Sequence, residues 1–203
     1  MSAIGLIAAV LVTACVVPQV VAVLRSSEIG GVSVTGASFA TISCGGWTLY
    51  AVRAGLVEVA WSSGIGAALW ATIAVVVGVR DHRPPSLWTA VWAAAILGAT
   101  ATFGNDPLGM LLLGEAVTNT VPHGVRAMKS DGTGVSTVTF VMMGLGAAGW
   151  LVYGISRGDV PLAISSAVRS MVCATIVTLV RSNSSSGTSA LAADASSSSV
   201  WRG

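Results

Sequence analysis

Pro18-Gln19, Gly31-Val32-Ser33, Trp47-Thr48-Leu49-Tyr50 and Ser62-Ser63 return, in the same order, as Pro122-His123, Gly134-Val135-Ser136, Trp150-Leu151-Val152-Tyr153 and Ser165-Ser166. From the Gly-Val-Ser onward the offset is 103 residues at every anchor, and the two tyrosines are the only ones in the chain. Both stretches lie in apolar sequence long enough to cross a bilayer. A duplicated membrane unit is a common build of transporters, with the solute site at the seam between copies.

Composition sets the solvent. Hydrophobic residues make up 54% of the 203 and charged residues 9%, where a soluble domain carries roughly 25% charged residues. Uncharged runs cover 2–24, 29–52, 59–79, 84–105 and 132–156, each at or above the roughly 20 residues that span the hydrocarbon core. Two more, 107–125 and 160–180, are interrupted once each, by Glu115 and by Arg169. The spacing therefore predicts an all-α membrane protein of seven spans: 2–24, 34–53, 60–79, 87–104, 107–125, 135–155 and 160–180. A net charge of +2 gives no reason to expect nucleic-acid binding.

Arg80-Asp81-His82-Arg83-Pro84-Pro85 reads as an inter-helix loop, as does Gly104-Asn105-Asp106-Pro107, whose proline suits a first helical turn. Arg25, Arg80, Arg83, Arg126, Lys129, Arg181 and Arg202 fall on one side of this layout, and only Arg53 and Arg157 on the other. By the positive-inside rule the N-terminus is outside and the C-terminus cytoplasmic. Three-helix units occupy 1–79 and 106–181, with a loop and linker helix at 80–105. One extra crossing keeps the two copies parallel, related by an axis along the membrane normal. Residues 182–203 are Ser-rich and are expected to be disordered. Cys15, Cys44 and Cys173 sit in separate spans with no disulfide or zinc spacing and read as small buried hydrophobes. Val12-Thr13-Ala14-Cys15 matches a lipoprotein-type cleavage pattern, but no Lys or Arg precedes it, so the first span is expected to be retained.

Pro-Gln, a following basic residue, Gly-Val-Ser and a later Trp-x-x-Tyr resemble the PQ-loop superfamily over residues 2–181. The 3+1+3 layout is similar to the SWEET sugar transporters, whose half-size bacterial relatives, the SemiSWEETs, work as dimers of one three-helix unit. The resemblance implies a small-solute carrier that alternates its access between two faces, with sugar as substrate and no cofactor. It places Pro18-Gln19 and Pro122-His123 at the PQ motifs, with His in place of Gln in the second. It sets Trp47 and Trp150 where an aromatic ring stacks on the sugar. Sixteen residues on, where that family has a sugar-binding Asn, both copies here have serine, Ser63 and Ser166. The second and sixth spans also lack the prolines found in many SWEETs. The superfamily fold supports receptors as well, so binding without transport is a second implied class.

The residues themselves leave alternatives open. Pro18 and Pro122 break the helical bonding to Ala14 and Thr118, either as hinges or as static kinks. Trp47 and Trp150 read as pocket walls or as headgroup-level anchors, and Tyr50 and Tyr153 as an outer gate or as further anchors. Ser62-Ser63 and Ser165-Ser166 read as a polar lining or as small packing residues. Trp88 and Trp92, on the linker, are expected to face lipid.

Glu115 and Arg169 are each the sole charge within their span. They lie eight and nine residues from the outer start of their helices, so they are expected to face each other inside the second repeat. The pair is either a structural pin or a proton- or anion-sensitive site, and a guanidinium at the pocket suits a carboxylate-bearing solute such as an amino acid. Asn119, one turn from Glu115, extends that polar stripe. His123 is either a pH sensor or a hydrogen-bonding stand-in for Gln. There is no metal-ligand cluster and no nucleophile–base arrangement to suggest an enzyme. A retinal protein needs a lysine in its last helix, and the only lysine is Lys129, in a loop. The Ala/Val/Gly-rich composition points to a bacterial plasma membrane. Self-association is compatible with the sequence, which does not determine the oligomeric state.

Overall fold

The structure, a computed structural model, describes residues 2–25, 33–82, 84–102, 105–115 and 137–199. Among these there is no strand. The helices are α1 (Ala3–Arg25), α2 (Val34–Ala54), α3 (Val57–Asp81), α4 (Leu87–Thr102), α5 (105–115), α6 (Thr137–Arg157) and α7 (Val160–Ser199).

Local chemistry explains where the helices stop. Ser33 caps α2, its Oγ accepting from the Gly36 N–H at 3.3 Å. At the other end Gly55 adopts φ +70°, a left-handed value open to a residue without Cβ. The Leu56 N–H then reaches Ala51 O at 2.8 Å and the Gly55 N–H reaches Val52 O at 3.4 Å, which is the Schellman closure. The end of α6 repeats it. Gly158 has φ +67°, the Asp159 N–H bonds Gly154 O at 2.9 Å and the Gly158 N–H bonds Ile155 O at 3.1 Å. Each atom pair in the second turn sits 103 residues after its equivalent in the first.

Both turns close antiparallel hairpins, α2 on α3 and α6 on α7. α1 packs between α3 and α6, and α4 lies on α2. Small residues set the close approaches, as they do where membrane helices touch. A Cβ on Gly149 of α6 would meet Ala8 Cβ of α1 at 2.9 Å, and one on Gly46 of α2 would meet Leu112 of α5 at 3.0 Å. Likewise a Cβ on Gly5 of α1 would meet the Tyr153 ring at 3.0 Å, and one on Gly109 of α5 the Tyr50 ring at 2.9 Å. Gly46 and Gly149 are 103 positions apart. Gly5 and Gly109, and likewise Ala8 and Leu112, are 104 apart, the offset of Pro18 and Pro122. Thus α1 meets α6 through the same positions by which α5 meets α2.

Of the seven expected spans, four helical segments are long and apolar enough to cross a bilayer: Ala3–Arg25, Val57–Arg80, Val138–Arg157 and Val160–Leu179. With Leu6, Ile7, Val75, Trp88, Leu145 and Met171 exposed on its surface, the chain is a membrane protein. α4 is the shorter apolar helix, Leu87–Ala101. α2 has the length, 21 residues, but not the apolarity. Its Thr, Ser, Gly, Trp and Tyr residues suit a helix held among α3, α4 and α5, with Ala37, Ala40, Ser43, Gly46, Trp47 and Tyr50 buried. α7 is described as far as Ser199.

Candidate functional site

The two tyrosines belong to one buried apolar cluster. Trp47 and Tyr50 lie one helical turn apart on α2, ring centroids 5.5 Å apart and nearly perpendicular at 86°. Trp150 and Tyr153 on α6 stand at 5.5 Å and 82°, an edge-to-face geometry favourable for aromatic pairs. All four are buried in a single apolar cluster with Ala8, Leu56, Leu108, Leu112 and Leu162. The tryptophans therefore face the protein interior and not the headgroups.

Each tyrosine hydroxyl then crosses to the other half of the chain. Tyr50 Oη donates to Asp159 Oδ2 at 2.8 Å, and Tyr153 Oη donates to Glu58 Oε2 at 2.7 Å. The two acceptors are themselves held. Asp159 is the N-cap of α7, its Oδ1 accepting from the Leu162 N–H at 2.9 Å. Glu58, in the first turn of α3 and only 4% exposed, accepts from the Ser2 N–H at 2.5 Å through Oε1. The Arg157 guanidinium stands 5.8 Å from the centre of the Tyr153 ring, within cation–π range. Two hydroxyl–carboxylate bonds thus tie the α2–α3 hairpin to the α6–α7 hairpin beside their Gly55 and Gly158 turns.

Sequence reasoning passed over Glu58 and Asp159, which lie just outside the expected spans at 60–79 and 160–180. Asp159 did carry a signal: an N-cap acid between a left-handed glycine and Pro161, the usual opening of a helix. Glu58 had only its place in a first helical turn.

Deeper in the bundle, Arg169 Nη2 of α7 donates to Glu115 Oε2 of α5. The Glu115 side chain is 5% exposed and that of Arg169 24%, so the guanidinium is the more accessible partner. Cys44 of α2 is within electrostatic reach of both charges. Gly66, the counterpart of Arg169, faces Cys44; a Cβ there would stand 3.4 Å from its Sγ.

The serines divide. Ser62 Oγ donates to Val59 O at 3.2 Å and Ser165 Oγ to Leu162 O at 3.0 Å, equivalent bonds that use their protons within their own helices. Ser63 is half-buried and Ser166 buried. Pro18 is exposed on α1 and Gln19 half-buried. Pro122, His123 and Asn119 lie outside the described residues.

Trp92 departs from the lipid-facing expectation. It is half-buried, stacked on Phe39 at 5.0 Å, and its Nε1–H donates to Ser43 Oγ at 2.9 Å. A buried indole N–H needs an acceptor, and Ser43 on α2 supplies one. Trp88 is exposed, as expected. A groove of about 610 Å³ runs between α2 and α3, lined by apolar residues including Val52, Trp61 and Ile65. None of the expected site residues lines it, and those three side chains open it to the outer surface.

In comparison with known proteins, no family model matches the chain and no curated protein matches it.

Proposed function

We propose that this protein is a small-solute carrier working by alternating access, with two parallel three-helix repeats joined by α4. In this reading it is a multi-pass protein of a bacterial plasma membrane, N-terminus outside and C-terminus cytoplasmic. A sugar is the solute that the resemblance to SWEET transporters implies. The observation that carries the reading is the reciprocal pair of bonds, Tyr50 to Asp159 and Tyr153 to Glu58. Each runs from one repeat to the other, and equivalent residues donate both.

The duplicated Schellman turns and the matched contacts of α1 with α6 and of α5 with α2 support the same two-fold relation. Seven alternating crossings place the Tyr end outside, beside Arg53 and Arg157. At the other end Arg80 Nη1 of α3 donates to Val23 O of α1 at 2.9 Å. The outer end is closed by two carboxylate bonds over two edge-to-face Trp–Tyr pairs. Hydrogen bonds to charged groups contribute about 1.5–3 kcal/mol each. Together they amount to several kcal/mol, the size of bias that inverts a two-state population. Solute held between the repeats offsets that bias from within.

The test is counterflow. Liposomes holding the full chain and loaded with unlabelled glucose should take up external labelled glucose transiently above equilibrium, and Tyr153→Phe should change the rate. Saturable binding without exchange would make the protein a receptor and remove the carrier reading.

A further inference from the structure

The groove between α2 and α3 takes no part in the carrier reading. On α3 its lining runs from Val57 to Ala68, and on α2 from Gly55 back to Thr48. Eleven residues along α3, at a rise of 1.5 Å each, make about 16 Å. α3 is long and apolar enough to cross a bilayer, and Val57 is its first residue. The groove therefore starts at the membrane edge and descends through about half of a hydrocarbon core of roughly 30 Å, the depth of one leaflet. Val52, Trp61 and Ile65 are exposed, so it opens sideways, toward lipid. Gly64 leaves it room: a Cβ there would meet nothing nearer than the Thr48 side chain, at 3.9 Å.

The two ends of the groove differ in chemistry. No charged or titratable residue lines it. At the membrane edge, however, the Gly55 carbonyl accepts from Arg157 Nη2 at 3.4 Å, which holds an exposed guanidinium at the mouth. Among the described residues Arg157 has no carboxylate partner; it meets that carbonyl and the Tyr153 ring. The neighbouring carboxylates, Glu58 and Asp159, are engaged by the Tyr153 and Tyr50 hydroxyls.

The second hairpin offers the comparison. At 103 residues on, Thr48, Gly64 and Ala68 become Leu151, Ala167 and Met171, each bulkier. The counterpart of Arg157 is Ala54, and Arg53 beside it is bonded to Thr100 O of α4 at 3.2 Å. Room for a ligand and a cation at its mouth thus occur together, at the first hairpin. An apolar slot one leaflet deep below a guanidinium matches an amphiphile with an anionic head. Arginine pairs with phosphate through two parallel N–H donors, and the exposed Trp61 indole, one turn below Val57, suits the interface between head and tail.

We propose that this groove binds one anionic phospholipid, its phosphate on Arg157 and one acyl chain between α2 and α3. Net negative charge on the headgroup separates such a lipid from the zwitterionic lipids around it. The site does not depend on whether the chain carries a solute.

The test uses the full chain, purified in detergent and stripped of lipid. It is titrated with phosphatidylglycerol or with phosphatidylcholine of the same acyl chains, and bound lipid is counted by native mass spectrometry. One phosphatidylglycerol per chain should be retained, about tenfold more tightly than phosphatidylcholine. Arg157→Gln should abolish that preference. Gly64→Leu places a side chain in the groove and should weaken retention of both lipids about tenfold. Ala68→Leu, at an exposed position, should act alike and decides the matter if Gly64→Leu does not fold.

Equal retention of the two lipids by the unaltered chain overturns the site. So does a preference that survives Arg157→Gln, or retention unchanged in a folded groove variant. A dimer that dissociates in those groove variants while lipid retention holds would make the groove an interface between copies, and would overturn the lipid site as well.

Discussion

Removing one tyrosine hydroxyl should release one of the two bonds that, in the proposed carrier, close the outer end, and the amount follows from the partners. In Tyr153→Phe the ring, its edge-to-face contact with Trp150 and its fit against Gly5 remain; only the 2.7 Å bond to Glu58 is lost. A hydrogen bond to a carboxylate contributes about 1.5–3 kcal/mol, so the closed form loses about tenfold or more in population relative to the open form. Cys44 reads this out. It lies six residues before Tyr50 on α2, about 9 Å further in at the helical rise of 1.5 Å per residue. With Cys15 and Cys173 replaced by Ala, a membrane-impermeant maleimide applied from the Tyr side should label Cys44 about tenfold faster in Tyr153→Phe. Tyr50→Phe should act alike, since its bond to Asp159 is equivalent. The two variants break different bonds of one gate, so the double variant should exceed either alone. Unchanged labelling in a folded double variant would refute the gate.

Packing supplies sharper contrasts, each read as a melting temperature in detergent. Gly109→Ala would set a Cβ 2.8 Å from the Pro161 ring and 2.9 Å from the Tyr50 ring. Neither ring can swing away, so a loss of about 1–3 kcal/mol is expected. Gly45→Ala, with nothing within 4 Å, should be neutral or slightly stabilising. Gly158→Ala forces a Cβ into a left-handed turn at φ +67° and should cost about 1–2 kcal/mol. Trp92→Phe keeps the stack on Phe39 but strands Ser43, and should cost about 0.5–1.5 kcal/mol.

Helix limits were largely legible because charges punctuate this chain. The expected spans at 34–53 and 87–104 compare with Val34–Ala54 and Leu87–Thr102. Legibility failed where composition and environment part company. α2 is enclosed by protein, so its polar and small residues weaken the very signal by which a span is recognised. Trp92 lies on the linker helix, hence the expectation that it faces lipid, and nothing local shows that Ser43, 49 residues earlier, is its acceptor. The Trp-x-x-Tyr repeat marked both tyrosines, but their acceptors do not repeat. Glu58 stands in a first helical turn and Asp159 at an N-cap, on positions that are not equivalent, so internal symmetry could not reveal them. Glu115 and Arg169 stood out because a lone charge in an apolar span needs a partner.

The parallel arrangement of the halves is tested most directly by locating the two chain ends across the bilayer. Labelling of an N-terminal tag and of a C-terminal tag in intact and permeabilised cells reports this in one experiment. An odd number of crossings puts the first tag outside and the second in the cytoplasm. Both tags on one face, as four crossings would leave them, would contradict two parallel three-helix repeats joined by a single linker helix.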